Sequence, residues 1–501
     1  MKIVIDRQSD KPIYLQIRDR LQHLIQTGSL QPRQQLPSIR GLADAIQVNK
    51  LTVLEAYGML EAEGLIFARQ GAGYFVQPTI TAPGQRDSAF APAQSVIIAQ
   101  ELSGSFYNVY TTMLKANQDA DYINFGIGIP HAPDDLARMA RRAMTEIGDT
   151  LFNYEHPQGL LSLRRQITQL LIQLGLEVLP DDLIVTTGSQ QGLALAMHHA
   201  IQPGDWVIVE SPTYYGILSM LKNLGARVIG IPMTATGMNL ELLERYLQSH
   251  QPRLIYTIST LHNPTGITTS LEHRQQLLAL AEQYQCPILE DNAYEGLSFT
   301  AVPPPIKALD HQGWVTYLGT FSKTLMPGLR VGYLVTNSRN QQALIEQKLL
   351  QDLSSSTVSQ AIVSEYLGSG HYRRHLQHLQ ERYEQSRNTM LQAMERYFPE
   401  EATWTVPQGG LFLWVQLPDG TLVSEICEAA IAHKIVLNDG ATFFPDGQGY
   451  PALRLSFLHS PEIIERGIQI LGNLLKQHLY THHARSQPAN GRSQTAACRI
   501  R

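Results

Sequence analysis

The sequence predicts an α/β protein in two parts, a small N-terminal winged helix-turn-helix ahead of a large domain in which strands alternate with helices. Three observations carry this. Residues 12–60 place apolar side chains at helical spacing, and short apolar runs follow at 65–67 and 73–76. Downstream, the apolar runs Leu183–Val185, Val207–Val209, Leu254–Ile258 and Ile288–Leu289 read as strands, each ending in a polar or Gly-bearing stretch. A length of 501 residues at 43% hydrophobic leaves room for one small domain and one large, well-cored one.

The first helix follows Pro12 and presents Ile17, Leu21, Leu24 and Ile25 on one face. Leu42 and Ile46 give the next helix a short apolar face, Gln47-Val48 is a tight connection, and Asn49 is a good N-cap for the helix after it. Val53, Ala56, Tyr57 and Leu60 form the buried stripe of that last helix, which completes a helix-turn-helix. Gly64–Phe67 and Gly73–Val76 read as two strands of a wing tipped by Arg69. This geometry offers Ser38, Arg40, Asn49, Lys50, Thr52 and Arg69 as contacts to a double-stranded DNA operator. Residues 9–77 resemble the GntR-type winged helix over almost their whole length. That family often has a serine and an arginine where Asn49 and Lys50 stand, so the resemblance implies the groove-docking mode and leaves base preference open.

The remaining organisation is read from composition. The chain carries a formal net charge of −5, which excludes a bulk polyanion binder. Residues 1–78 hold nine Lys/Arg against seven Asp/Glu, so one copy is expected to bind DNA weakly and to gain affinity as a dimer on two half-sites. The expected layout is a DNA-binding domain at 1–78, an Ala/Pro/Gln/Ser-rich linker at 79–104, a large domain at 105–480 and a disordered polar tail at 481–501. Cys286, Cys427 and Cys498 show no metal or redox spacing, and no metal site is expected. Nothing resembles a signal peptide or reaches membrane length, so a soluble cytoplasmic protein with no membrane partner is expected.

Chemistry concentrates in 318–333, Leu-Gly-Thr-Phe-Ser-Lys-Thr-Leu-Met-Pro-Gly-Leu-Arg-Val-Gly-Tyr. A lysine amine such as Lys323 can form a Schiff base with an aldehyde, and Thr320, Ser322 and Arg330 could hold a phosphate beside it. That is what a pyridoxal phosphate site needs. Thr187-Gly188-Ser189-Gln190-Gln191 joins a strand to a helix, facing backbone N–H groups and Ser189 toward an anion. Tyr214 can stack on a cofactor ring, and Asp291, at the end of an apolar run, can pair with a pyridine nitrogen. Asn263 and Tyr294 can hydrogen-bond the ring's phenolic oxygen, and Arg454 could clamp a substrate α-carboxylate through two parallel N–H bonds.

Six motifs in one order make 105–478 resemble class I/II aminotransferases of fold type I, closest to the kynurenine/α-aminoadipate type. The resemblance implies Lys323 as the imine lysine, Asp291 on the pyridine nitrogen, Tyr214 stacked on the ring, and Asn263 and Tyr294 at the phenolic oxygen. It gives Ser189, Gln190, Thr320, Ser322 and Arg330 to the phosphate and Arg454 to the substrate carboxylate. Tyr154, in Asn-Tyr-Glu-His-Pro-Gln-Gly, resembles the tyrosine that reaches the phosphate from the partner subunit of a homodimer. Both halves together resemble the MocR-type regulators, a GntR-like winged helix fused to an aminotransferase-like domain. This implies a doubly wound, mostly parallel sheet with a smaller α/β subdomain. It also implies a pyridoxal-phosphate-binding transcriptional regulator that senses an amino acid or the cofactor itself. A working aminotransferase with an autoregulatory winged helix is the alternative, because many MocR-type members replace the asparagine of Asn-Pro-Thr-Gly with an aromatic residue while this chain keeps Asn263.

Overall fold

The computed structural model describes residues 12–26, 30, 34–62, 66–69, 73–76, 95–100, 102, 106–119, 121–149, 153–448 and 450–486. The N-terminal part is built from α1 (Ile13–Gln26), α2 (Ile39–Ile46), α3 (Lys50–Ala62), β1 (Ile66–Arg69) and β2 (Gly73–Val76). Ser38 Oγ accepts from Gly41 N–H at 3.0 Å and caps α2. Gln47 ends it in the left-handed region at φ 53°, its N–H returning to Ala43 O. Asn49 Oδ1 then accepts from Leu51 N–H at 2.9 Å at the head of α3. The chain therefore turns between the two helices in three residues. Ile17, Leu21, Leu42, Val53, Ala56, Tyr57, Leu60, Ile66 and Val76 close one core, and Tyr57 also donates to Pro37 O at 2.8 Å. β1 and β2 pair antiparallel as the wing, with Arg69 opposite Gly73.

The large domain holds β3 (Ile97–Ala99), β4 (Ile123–Asn124), β5 (Leu183–Thr186), β6 (Trp206–Ser211), β7 (Arg227–Thr234), β8 (Gly237–Met238), β9 (Leu254–Thr257), β10 (Ile288–Asn292), β11 (Val315–Thr320) and β12 (Gly332–Val335). Its main sheet has the order β3-β7-β6-β9-β10-β11-β12-β5, with β8 beside β7. Neighbours from β7 to β11 run parallel, while β12 runs antiparallel to both β11 and β5. Side chains alternate between two buried faces: Val207, Val209, Tyr256, Leu289 and Leu318 pack on one, and Ile208, Ile255, Ile288 and Tyr317 on the other. A sheet apolar on both sides must be covered on both sides, and helices such as Gly188–Ala200 and Leu271–Gln283 do so.

The smaller subdomain is an antiparallel sheet of β13 (Thr403–Trp404), β14 (Phe412–Gln416), β16 (Asn438–Asp439) and β17 (Ala452–Ser456), in the order β13-β14-β17-β16. β15 (Ile435–Val436) pairs parallel with β4. The long helices His371–Tyr397 and Pro461–Ser486 pack on it around Met390, Met394, Ile464, Ile468 and Leu471.

Two boundaries differ from the sequence reading. Ile97–Ala99, expected in the linker, pairs with β7 as an edge strand of the main sheet, a piece too short to show periodicity. The last helix continues to Ser486, six residues into the expected tail. Residues 77–94 of the linker and 487–501 of the tail lie outside the described residues. Among the described residues no helix is long and apolar enough to cross a membrane, and no cluster of His, Cys, Asp and Glu could hold a metal ion.

Candidate functional site

The carboxyl ends of β5, β6, β9, β10 and β11 open on one cleft, as the ends of parallel strands do in doubly wound sheets. Its atom-free space is about 650 Å³, bordered by Ser189, Gln190, Tyr214, Asn263, Asp291, Tyr294, Lys323 and, from β17, Arg454. Residues from Ser189 to Arg454 thus meet in one place because each sits just past a strand end or on a facing strand.

Asp291 lies at the floor. Its Oδ2 accepts from Tyr256 O–H at 2.8 Å, while Oδ1 is buried and has no partner among the described residues. Burial pushes its pKa up to about 6, against the pull of the Tyr256 hydrogen bond. An orphaned carboxylate oxygen in a cleft is an acceptor for a ring N–H, so the residues fit the expected cofactor.

Asn263 links two neighbours. Its Nδ2 donates to Tyr294 O–H at 3.1 Å, and its Oδ1 accepts from Arg454 Nη1 at 2.8 Å. Arg454, 2% exposed, also donates from Nη2 to Gly126 O at 2.5 Å and stands 3.8 Å over the Phe412 ring. Burial lowers its pKa, its Nε lacks a partner, and its described hydrogen bonds end on neutral oxygens. A buried guanidinium held this way retains its full attraction for a planar anion.

Lys323 follows β11 and donates from Nζ to Gly128 O at 2.9 Å. Burial, then the charges of Arg454 and Arg330, lowers its pKa to about 8, so a far larger share of the amine is free near neutral pH than in an ordinary lysine. Beside it Thr320 Oγ1 donates to Ser322 Oγ at 3.1 Å, and Arg330 Nη1 donates to the same Ser322 Oγ at 3.3 Å. Arg330 Nη2 reaches Thr187 O at 3.4 Å, across Gly188 at the head of the helix Gly188–Ala200. Gly188 has φ +73°, and a Cβ there would lie 2.3 Å from Arg330 Nη2, so only glycine fits. Hydroxyls, a guanidinium and a helix N-terminus make an anion cradle. Gln190 Nε2 donates to Tyr214 O–H at 2.6 Å and fixes that ring at the cleft wall.

Ser189, Gln190, Tyr214, Asn263, Asp291, Tyr294, Lys323 and Arg454 therefore share the cleft, with Thr320, Ser322 and Arg330 beside it. Tyr154 does not join them: it is 86% exposed and borders no part of the cleft in its own chain. In the winged helix, Ser38, Arg40, Asn49 and Lys50 are exposed and Thr52 is half-buried, whereas the Arg69 side chain lies outside the described residues.

Sequence reasoning missed Tyr256, Tyr215, Phe412 and the carbonyls of Gly126 and Gly128. It also missed a buried pair beneath the Asn263 turn. Glu210 Oε2 lies 3.2 Å from His262 Nε2 and accepts from Ile258 N–H at 3.0 Å, while Oε1 accepts from Thr257 Oγ1 at 2.6 Å. Burial pushes the Glu210 pKa up, but His262 and these hydrogen bonds outweigh it and bring it below the ordinary value. The pair ties the end of β6 to the turn after β9. A glutamate inside the apolar run Val207-Ile208-Val209-Glu210 was its signal.

Two family models match the chain: aminotransferase class I and II over residues 120–471, and bacterial regulatory proteins, gntR family, over 13–76. An uncharacterized HTH-type transcriptional regulator, YdfD, of Bacillus subtilis is 30% identical over 470 residues, 93% of this chain and 97% of that one. Aromatic-amino-acid aminotransferase 1 of Thermococcus litoralis is 33% identical over 380 residues, 73% of this chain and 91% of that one. The crystal structure of Pyrococcus horikoshii kynurenine aminotransferase, a complex with PMP, kynurenine and its product, aligns with a TM-score of 0.70 at 32% identity, covering 76% of this chain and 96% of that one. A gntR-type winged helix on a fold-type-I aminotransferase domain, along nearly the whole length of an HTH-type regulator, places the chain in the MocR-type family.

Proposed function

We propose that the protein is a cytoplasmic transcriptional regulator, binding its DNA operator as a homodimer and sensing an amino acid through pyridoxal phosphate in the large domain. The observation that carries this is one cleft, with Lys323, Asp291 and Arg454 around one space, on the same chain as a helix-turn-helix with a paired β1–β2 wing. When bound, pyridoxal phosphate supplies an aldehyde and an electron-withdrawing ring. Lys323 would hold it covalently, and the unpartnered Asp291 Oδ1 would accept from its ring nitrogen. Thr320, Ser322, Arg330, Ser189 and the N-terminus of Gly188–Ala200 would bind its phosphate, and Tyr214 would stack on its ring. Asn263 and Tyr294 would hold its phenolic oxygen, and Arg454 would take the carboxylate of the amino acid. Tyr154, exposed in one chain, would complete the phosphate site of a second copy. The leucines Leu349, Leu350 and Leu353, 42%, 88% and 51% exposed, supply an apolar face that supports a dimer.

The test is operator affinity with and without pyridoxal phosphate and a panel of amino acids. Wild type is expected to change its DNA affinity with one of them. Arg454→Ala should keep the cofactor and lose that response. An aminotransferase is the second reading, favoured by the retained Asn263 with its bonds to Tyr294 and Arg454. Sustained turnover with a keto acid on the order of 1 s⁻¹ or more, with DNA affinity indifferent to every amino acid, would establish it instead.

A further inference from the structure

The outer face of α3 carries two exposed leucines among charged residues, and among the described residues nothing covers them. Val53, Ala56, Tyr57 and Leu60 are fully buried against the winged-helix core, which fixes the rotation of the helix. On the opposite side Leu51 is 69% exposed and Leu54 is 44% exposed. At i and i+3 they are neighbours one turn apart. Gly58 continues the same line at i+7, and a Cβ built there would meet nothing within 4 Å. A glycine in the interior of a helix costs about 1 kcal/mol relative to alanine, so the fold gains nothing from it. A bare backbone at that point lets another surface approach closely.

Charge on this face narrows the occupant. Lys50 and Arg40, both exposed in the first turns of α3 and α2, suit phosphates on either side of a groove. Glu55 is exposed on the same face as Leu51, one turn further on, and a carboxylate there repels phosphate. The second turn of α3 therefore suits the floor of a groove and not its walls, and on that floor cytosine N4 offers a donor to a carboxylate. The apolar group that the same floor presents is the C5-methyl of thymine. Given the DNA-binding reading above, we propose that Leu51 and Leu54 are specificity-determining residues that read thymine methyl groups in the major groove. This is a recognition element that the polar groups of Asn49, Lys50 and Thr52 do not supply.

The experiment begins with duplexes that the full-length protein itself selects from a randomised library. Failure to enrich any sequence would count against DNA binding as a whole. With a selected duplex in hand, each thymine is replaced by deoxyuridine, which removes the methyl and nothing else. Wild-type affinity should fall at particular positions in each half-site by about fourfold per methyl, the value of one buried methyl group. Leu51→Ala/Leu54→Ala should bind the thymine duplex more weakly and become indifferent to the same replacement. Both side chains are exposed, so the variant folds as wild type does. Wild type binding both duplexes equally, or a variant that keeps full sensitivity to the methyl, overturns the proposal. Unchanged DNA affinity together with loss of self-association would assign the face to a second copy of the chain instead.

Discussion

Replacing Asp291 by asparagine should stabilise the protein without cofactor and weaken its hold on the cofactor. The folded structure raises this carboxyl from 3.8 to about 6 by burial, leaving Oδ1 without a partner. A shift of roughly two units at 1.36 kcal/mol each is about 3 kcal/mol of unfavourable ionisation. Asparagine removes that charge but leaves an amide partly unpaired, which costs about 1–2 kcal/mol, so the net gain is on the order of 1–2 kcal/mol. The sign follows from linkage. A carboxyl with its folded pKa above its unfolded one carries no penalty below about pH 4, a growing one between about pH 4 and 6, and the full one above. Near pH 4 only the amide cost remains, so the variant should be about 1–2 kcal/mol less stable than wild type there; the order should reverse as pH rises, and the difference should be constant from pH 7 upward. All four tryptophans, Trp206, Trp314, Trp404 and Trp414, lie in the large domain, so urea unfolding followed by their fluorescence reports that domain alone. With pyridoxal phosphate added the order should invert, because only the carboxylate offers a charge-assisted acceptor to the ring. A cofactor-free variant that is less stable than wild type at pH 7, or a difference that ignores pH, would refute the reasoning.

Three further outcomes are expected. Lys323→Ala should be colourless with pyridoxal phosphate and should not be labelled by it after borohydride reduction. In wild type the rate of covalent attachment should climb with pH and level off near the lowered Lys323 pKa of about 8, where an ordinary lysine would keep climbing past 10. Arg40→Ala, Lys50→Ala and Arg69→Ala should weaken operator binding and leave cofactor absorbance unchanged. The salt dependence of binding should flatten by about one unit of slope for each phosphate that is no longer neutralised. Equal affinity in all three would argue against groove docking.

What the sequence made legible was the set of polar residues that interrupt apolar runs. Asp291 after Ile288-Leu289, Asn263 after Leu254–Ile258 and Lys323 after Leu318 stand out because a strand buried on both faces tolerates polarity only at its ends. Tyr256 was hidden for the converse reason. Within Leu254–Thr257 it reads as core, and its ring is core. Only the register of β9 with β10, where Tyr256 faces Leu289, brings its hydroxyl to Asp291 two residues on. Arg454 was legible as a residue but not as a place, since β17 must pair with β14, Trp414 to Arg454, before the guanidinium reaches Asn263. The direction of β12 could not be read at all. Gly332–Val335 is apolar on both faces like its neighbours, and its reversal follows from the tight Pro327–Leu329 turn that carries Arg330 back to Ser322 and Thr187.

The two cations of the cleft act on one short segment. Arg454 Nη2 donates to Gly126 O, and Lys323 Nζ donates to Gly128 O. That segment leaves β4, which pairs with β15 in the smaller subdomain, and Asn438 beside β17 donates to Gly126 O as well, at 3.3 Å. Phe412 crowds Gly128 so closely that a Cβ there would lie 2.5 Å from its ring. With the roles proposed above, a carboxylate arriving at Arg454 would compete for the donors now on Gly126, and a covalent bond at Lys323 would take away the donor on Gly128. Hydrogen bonds from charged groups are worth about 1.5–3 kcal/mol each, the same size as the 1–3 kcal/mol by which allosteric sites are coupled. A ligand can bias a protein only through interactions that differ between its states. Under the proposed roles, residues 126–128 would meet that condition for cofactor and amino acid together. They are held from both sides, by Lys323 after the main sheet's β11 and by Arg454 and Asn438 of the smaller subdomain, so a change at either cation would reach both parts through them.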